Sequence, residues 1–273
     1  SGQSVVWAKS NDNGSFDPPQ SCQGCRMRSM SRAKASASSI QGILFDKDGT
    51  ILDYWKTWVP INREVALAAA GGDPALAARL LRAGGQNPET DAVTPGSVLA
   101  AGSAAAIAAA FAAVLGRRTP HDLSHEVDRI FTEGGAKHAV MIDGAREVLA
   151  VLAARGFRLG LATNDTAGGL EASLGRHGLL EAFEFLAGCD SGHGAKPEPG
   201  MVLAFAEAVG LEPSALAVVG DAVHDLEMAV AAGAGLKVGV LSGTSGREDL
   251  EEHADLILDS VADMPGHERF RGV

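Results

Sequence analysis

The sequence predicts an α/β fold: a parallel sheet covered by helices on both faces, with an all-helical insertion after the first strand. Three observations point there. Short apolar runs without polar alternation recur along the chain, helical patterns separate most of them, and the long interval 54–136 holds helical patterns but no convincing strand. The first run is Ile43-Leu44-Phe45, followed by Leu159–Ala162, Phe185–Ala187, Ala217–Val219, Val238–Leu241 and Leu256–Leu258. Runs of this length suit strands buried on both faces. Between them, Gly144–Arg155 gathers Val148, Leu149, Val151 and Leu152 on one side and stops at Gly156. Pro199–Val209 opens on proline and closes at Gly210, the asymmetry expected of a helix. Alternating strands and helices build a parallel sheet whose ligands gather at the carboxyl ends of its strands. The insertion reads as helical patterns over Ile61–Ala70, Pro74–Ala83, Val98–Leu115 and Asp122–Phe131, with Gly102 and Ser103 interrupting the third. The expected division is a leader, 1–39, a core, 40–53 and 137–273, and a helical cap, 54–136.

Composition sets the class. The chain has 273 residues, 46% of them hydrophobic and 21% charged, which is enough apolar matter for a sizeable core. Net charge is −11, but the leader carries five basic and two acidic groups, so the remainder stands at −14. A body that acidic is repelled by nucleic acid and by anionic lipid, and an anionic substrate would need a cation or a lysine beside it. No apolar run reaches the roughly 18 residues of a membrane span. The three cysteines, Cys22, Cys25 and Cys189, are too few for a disulfide scaffold or a four-ligand zinc site. They read as a reducing, cytoplasmic setting. The leader, rich in Ser, Gly, Asn and Gln, reads as disordered. Its segment from Arg26 to Ser39 has transit-peptide composition; the alternative is an upstream artefact with Met27 or Met30 as the true start.

The chemistry concentrates at strand ends. After the first run comes Asp46-Lys47-Asp48-Gly49-Thr50. Two carboxylates placed together at the end of a buried strand are costly unless a cation sits between them or they do different work. Gly49 permits a sharp turn there. The run ending at Val219 continues as Gly220-Asp221-Ala222-Val223-His224-Asp225, again with emerging carboxylates. If Asp225 starts a helix, both acidic clusters meet at one sheet edge, where a hard divalent cation such as Mg²⁺ would satisfy them. Thr163-Asn164-Asp165 ends another strand with a hydroxyl and amides suited to an anion. Lys196, in Gly194-Ala195-Lys196-Pro197-Glu198-Pro199, sits in a proline-stiffened loop, placed to neutralise a phosphate.

These four pieces, in this order, resemble the haloacid dehalogenase superfamily over residues 40–273, specifically its phosphoglycolate phosphatase-like members with a helical cap inserted after the first motif. The cap shares only placement and helical character. The resemblance implies a Rossmann-like core and a Mg²⁺-dependent phosphatase acting on a small phosphorylated metabolite, with phosphoglycolate-type esters the leading substrates. It implies that Asp46 is the nucleophile and that Asp48 is the general acid and then base. Thr163 and the Asn164 amide would hold phosphate oxygens, and Lys196 would neutralise both nucleophile and phosphoryl group. Asp221, with Asp225, would hold the metal together with Asp46 and the Asp48 carbonyl. Splitting a very slow hydrolysis into two transfers is ordinary covalent catalysis.

Other readings compete. A dehalogenase needs no acid, so Asp48 argues against it. A phosphonatase needs a cap lysine, and the interval 54–136 offers only Lys56, near the hinge. A phosphomutase differs mainly in cap contacts. A phosphate-binding scaffold is disfavoured because each catalytic position is filled. His193 and His224 read as partly exposed loop residues, and Tyr54, Trp55 and Trp58 as hinge packing. Lys56 and Arg63 could meet a substrate carboxylate, and the loop Ser242–Gly246 has no assigned role. The expected assembly is a monomer or homodimer.

Overall fold

The structure, a computed structural model, describes residues 6–7, 39–116 and 120–272. In chain order the strands and helices are β1 (Val6–Trp7), β2 (Gly42–Phe45), α1 (Tyr54–Ala69), α2 (Pro74–Gly84), α3 (Val98–Ala101), α4 (Ala104–Leu115), α5 (Pro120–His138), α6 (Ala145–Ala154), β3 (Arg158–Ala162), α7 (Ala167–Gly175), β4 (Phe185–Ala187), α8 (Gly200–Val209), β5 (Leu216–Gly220), α9 (Val223–Ala232), β6 (Leu236–Val240), α10 (Arg247–Leu250) and β7 (Leu256–Leu258). The strands form one parallel sheet in the order β1-β4-β3-β2-β5-β6-β7. The chain steps outward from β2 through β3 to β4, then returns to the other side of β2 as β5. That reversal opens a crevice beyond the carboxyl ends of β2 and β5.

Strand alternation explains the two halves of the core. Ile43 and Phe45 point to one face, where they pack with Leu159, Leu161 and Val219 under Val148 and Leu152 of α6 and Leu170 of α7. Leu44 points to the other, with Phe185 and Val218, under Phe205 of α8 and Met228 of α9. The cap has its own core, built from Ile61, Val65, Leu80, Ile107, Phe111 and Val127.

The structure departs from the sequence expectations in four places. Helix α1 begins at Tyr54, ahead of the expected Ile61, and runs through Pro60; the Asp53 carboxylate caps it by accepting from Lys56 N–H at 3.0 Å. A proline argues for a later start in sequence, but Tyr54, Trp58, Val59 and Ile61 are buried on this helix and hold it. The third cap pattern splits into α3 and α4, because Gly102 and Ser103 are extended and the Ser103 hydroxyl caps α4. Helix α5 extends beyond the expected Asp122–Phe131 at both ends. Lastly, the leader is not wholly without structure: Val6–Trp7 pairs in parallel with Phe185 and Leu186, satisfying backbone groups that β4 otherwise leaves open at the sheet edge. Residues 1–5 and 8–38, which include Cys22, Cys25, Met27 and Met30, lie outside the described residues. Among the described residues no helix is long and apolar enough to cross a membrane.

Candidate active site

The crevice is assembled from strand ends. Asp46 follows β2 directly, its N–H donating to Val219 O at 2.8 Å, so the two central strands are still paired where the carboxylate emerges. The chain then turns tightly, with Gly49 N–H donating to Leu52 O at 2.7 Å and Ile51 N–H to Lys47 O at 2.9 Å. Gly49 has φ +86°, and a Cβ there would lie 2.6 Å from the Asp221 carboxyl carbon. From β5 come Asp221 and, in the first turn of α9, Asp225.

Asp46, Asp221 and Asp225 are buried and each presents an oxygen within 4.8 Å of the others. The Lys196 ammonium lies between two of them, 2.5 Å from Asp46 Oδ1 and 2.6 Å from Asp225 Oδ1. Asp225 Oδ2 accepts from Ala222 N–H at 3.1 Å, so both its oxygens are engaged. Asp46 Oδ2 is buried with no hydrogen-bond partner. Burial pushes the Asp46 carboxyl up to about 7 despite Lys196, helped by the charges of Asp225 and Asp48. Asp221 is raised well above the usual carboxylate range by burial and by Asp46 and Asp225. Burial works the same way on Asp225, but Lys196 overrides it and holds that carboxyl low. One lysine does not neutralise three buried carboxylates. An orphaned Asp46 oxygen beside Asp221, in an all-oxygen donor set, fits a hard divalent cation such as Mg²⁺.

Two features of this corner escaped the sequence reading. The loop Ser242–Gly246 supports Asp221: Thr244 N–H donates to its Oδ2 at 2.7 Å, and a Cβ on Gly243 would lie 1.8 Å from that oxygen. Ser242 Oγ also donates to Gly49 O at 2.7 Å, tying the loop to the first turn. The second feature is Lys47. Strand alternation turns it away from Asp46 into the core, where it is fully buried and lies 2.5 Å from Asp165 Oδ2 and 3.2 Å from Asp48 Oδ2. Burial alone would lower its pKa, but Asp165 and Asp48 more than offset this and leave it raised. A lysine between two aspartates, alternating inward at a strand end, was the signal available in sequence.

Asp48 is the hinge between the two regions. Its Oδ1 accepts from Trp58 Nε1–H of the cap at 2.5 Å, and the Trp58 ring also covers the Lys47 ammonium, 4.9 Å from its centroid. Burial raises the Asp48 pKa, with Lys47 and Trp58 opposing. Thr163 follows β3 directly and is buried, its Oγ1 accepting from Asp165 N–H at 3.1 Å. The Asn164 side chain joins three segments: Oδ1 accepts from Lys196 N–H at 2.8 Å, and Nδ2 donates to Ala101 O of the cap at 3.1 Å.

Asp46, Asp48, Thr163, Asn164 and Asp221 line one pocket with His224 and with Tyr54, Trp58, Asn62 and Phe131 of the cap. Lys196 and Asp225 reach it through Asp46. His224 therefore belongs to the site rather than to an exposed loop, and burial lowers its pKa. His193 packs near Phe185 instead, 6.3 Å between ring centroids. Lys56 and Arg63 do not meet the pocket; they are solvent-exposed and paired with Asp53 at 2.8 Å and Asp91 at 2.6 Å. Trp58 does more than pack a hinge, since it bonds Asp48.

A sheet switch point that concentrates carboxylates around a lysine, beneath a helical cover, is the layout of an α/β enzyme whose ligand sits at the carboxyl ends of the strands. Residues 40–233 match the family model for haloacid dehalogenase-like hydrolases, and the chain belongs to that family. It is 29% identical over 227 residues to an N-acetylmuramic acid 6-phosphate phosphatase of Pseudomonas aeruginosa, covering 82% of this chain and 93% of that protein. A phosphoglycolate phosphatase of Shigella boydii is 29% identical over 138 residues, about half of each chain (50% and 54%). Among solved structures, a hydrolase of the same family from Entamoeba histolytica superposes with a TM-score of 0.65 at 18% identity, covering 85% of this chain and 98% of that one.

Proposed function

We propose that this enzyme is a Mg²⁺-dependent phosphatase that hydrolyses a small phosphorylated metabolite through a phospho-aspartate on Asp46. The observation that carries the reading is the buried Asp46 carboxylate, pinned by Lys196 on one oxygen and unpartnered on the other. Asp46 attacks phosphorus as the ester P–O bond breaks, and Asp48 gives its proton to the leaving alkoxide oxygen. Asp48, now a carboxylate, takes a proton from the water that attacks the acyl phosphate, releasing inorganic phosphate and restoring Asp46. Lys196 cancels the repulsion between the Asp46 carboxylate and the phosphoryl oxygens, while Thr163 and the Asn164 N–H hold those oxygens. Asp46 and Asp221, with the backbone carbonyl of Asp48, would hold Mg²⁺, whose chemistry is charge neutralisation of the transferring group. Asp225 positions Lys196, and its engaged oxygens leave it a supporting part around the metal. The relatives named above act on a phosphorylated amino-sugar acid and on phosphoglycolate, so sugar-type and glycolate-type esters are the chemistries to compare. The proposed compartment is the cytoplasm, in keeping with a free Cys189 thiol.

The test is hydrolysis of p-nitrophenyl phosphate by the purified chain. Mg²⁺ should support it, a chelator should stop it, and Asp46→Asn should lose at least about 10³-fold in kcat with an unchanged circular dichroism spectrum. Robust turnover by the folded Asn variant overturns the nucleophile and the proposal with it.

A further inference from the structure

The cap side of the pocket holds an unsatisfied polar group. Asn62 lines the pocket on α1, one helical turn beyond Trp58, with 1% of its surface exposed. Its Oδ1 is buried and has no hydrogen-bond partner. A relay of contacts fixes which amide atom this is. Asp91, which only accepts, takes Arg63 Nε–H at 2.8 Å and Gln86 Nε2–H at 3.0 Å. Gln86, fully buried, therefore turns Oε1 to Asn62, whose Nδ2 donates to it at 3.0 Å. The Tyr54 hydroxyl, the neighbouring donor, is spent on Leu99 O at 2.6 Å. A buried acceptor without a donor is costly unless a ligand brings one. The remaining cap wall is apolar, with Leu99, Ile107 and Phe131, and among the described residues no Lys or Arg of the cap lines it.

Resting on the phosphatase reading above, we infer that the leaving group is a neutral polyol or sugar, one of whose hydroxyls donates to Asn62 Oδ1, and that carboxylate-bearing esters are rejected. Trp58 holds Asp48, the group assigned to protonate the ester oxygen, and Asn62 lies one turn further along α1, about 6 Å. The recognised hydroxyl thus lies on the cap side of the pocket, away from the bridging oxygen at Asp48. The glycolate carboxylate would instead enter a space already shared by Asp46, Asp48 and Asp221, where among the described residues no Lys or Arg of the cap lines the wall.

The experiment compares kcat/KM of the purified full chain with Mg²⁺ on erythritol 4-phosphate, butyl phosphate and phosphoglycolate, with p-nitrophenyl phosphate turnover as the check on the underlying reading. The polyol ester should exceed the butyl ester by about 10-fold or more, and phosphoglycolate by a larger factor. Asn62→Leu should shrink the polyol-to-butyl ratio to within about 3-fold, chiefly through KM of the polyol ester. Equal rates on the polyol and butyl esters in the wild type, phosphoglycolate as the best of the three, or a ratio that survives in a folded Asn62→Leu variant each overturn the inference. If p-nitrophenyl phosphate is still hydrolysed, such a result removes Asn62 recognition alone. If it is not, the phosphatase reading fails first and takes this inference with it. The wild-type ratios decide the matter even where the variant does not fold.

Discussion

The α/β core and the helical cap divide their polar groups unequally. The core side of the pocket offers Asp46, Asp48, Asp221 and, behind them, Lys196. The cap side offers mostly apolar surface, with Asn62 the unsatisfied group. Charge is needed where phosphorus is transferred and is a hindrance where a neutral leaving group is to be held. The two regions therefore answer to different measurements: core substitutions should change the chemical step, cap substitutions the choice of substrate. Asp46→Asn is the largest expected effect and marks the core end of that scale, with loss of at least about 10³-fold in kcat and intact folding.

Gly243→Ala should come next, although Gly243 touches no substrate. Its Cβ would lie 1.8 Å from Asp221 Oδ2, so the carboxylate must move. Turnover should fall by about 10²-fold, and the Mg²⁺ concentration for half-maximal rate should rise, since outer-shell supports govern metal affinity. An unchanged Mg²⁺ requirement would separate the loop from the proposed metal site. Lys47→Met probes the far side of the same strand end. It leaves Asp165 and Asp48 without their buried cation, and urea unfolding should show a loss of about 3 kcal/mol. A Met variant as stable as the wild type would mean that the carboxylates find other partners.

What was legible in the sequence follows the same division. Each core motif is local: a short apolar run fixes a strand, and the next few residues fix what stands at its end. Asp46, Asp221 and Lys196 were readable as a group because a parallel sheet gathers strand ends whatever their separation in sequence. The cap relay was not readable, because Asn62 of α1 meets Gln86 and Asp91 in the loop between α2 and α3, a contact that no strand register dictates. A trace of it was present. Tyr54, Trp58 and Asn62 recur every four residues, so Asn62 is a polar side chain on a buried helical stripe. The break at Gly102–Ser103 was visible as a composition change, but its use, presenting Ala101 O to Asn164, required the fold. The Ser242–Gly246 loop was anonymous for a similar reason, since its contribution to Asp221 is made by a backbone N–H and a missing Cβ.

Trp58 is the residue that crosses the boundary, and it gives the smallest and sharpest test of the comparison. It belongs to the cap, yet its Nε1–H is bonded to Asp48, while its ring lies over Lys47 and packs edge-on against Phe131 at 5.4 Å between centroids. Trp58→Phe keeps an aromatic ring, deletes the hydrogen bond and trims the outer part of the indole, a packing loss that acts alike on alkyl and aryl esters. If Trp58 orients the acid, kcat on an alkyl phosphate, whose alkoxide must be protonated as it leaves, should fall by about 10-fold. Hydrolysis of p-nitrophenyl phosphate, whose phenolate departs without an acid, should fall much less. An equal fall on both esters would make Trp58 packing alone, and acid catalysis would then belong wholly to the core. An unequal fall places one determinant of the chemical step on the cap, so that the element covering the substrate also orients its acid.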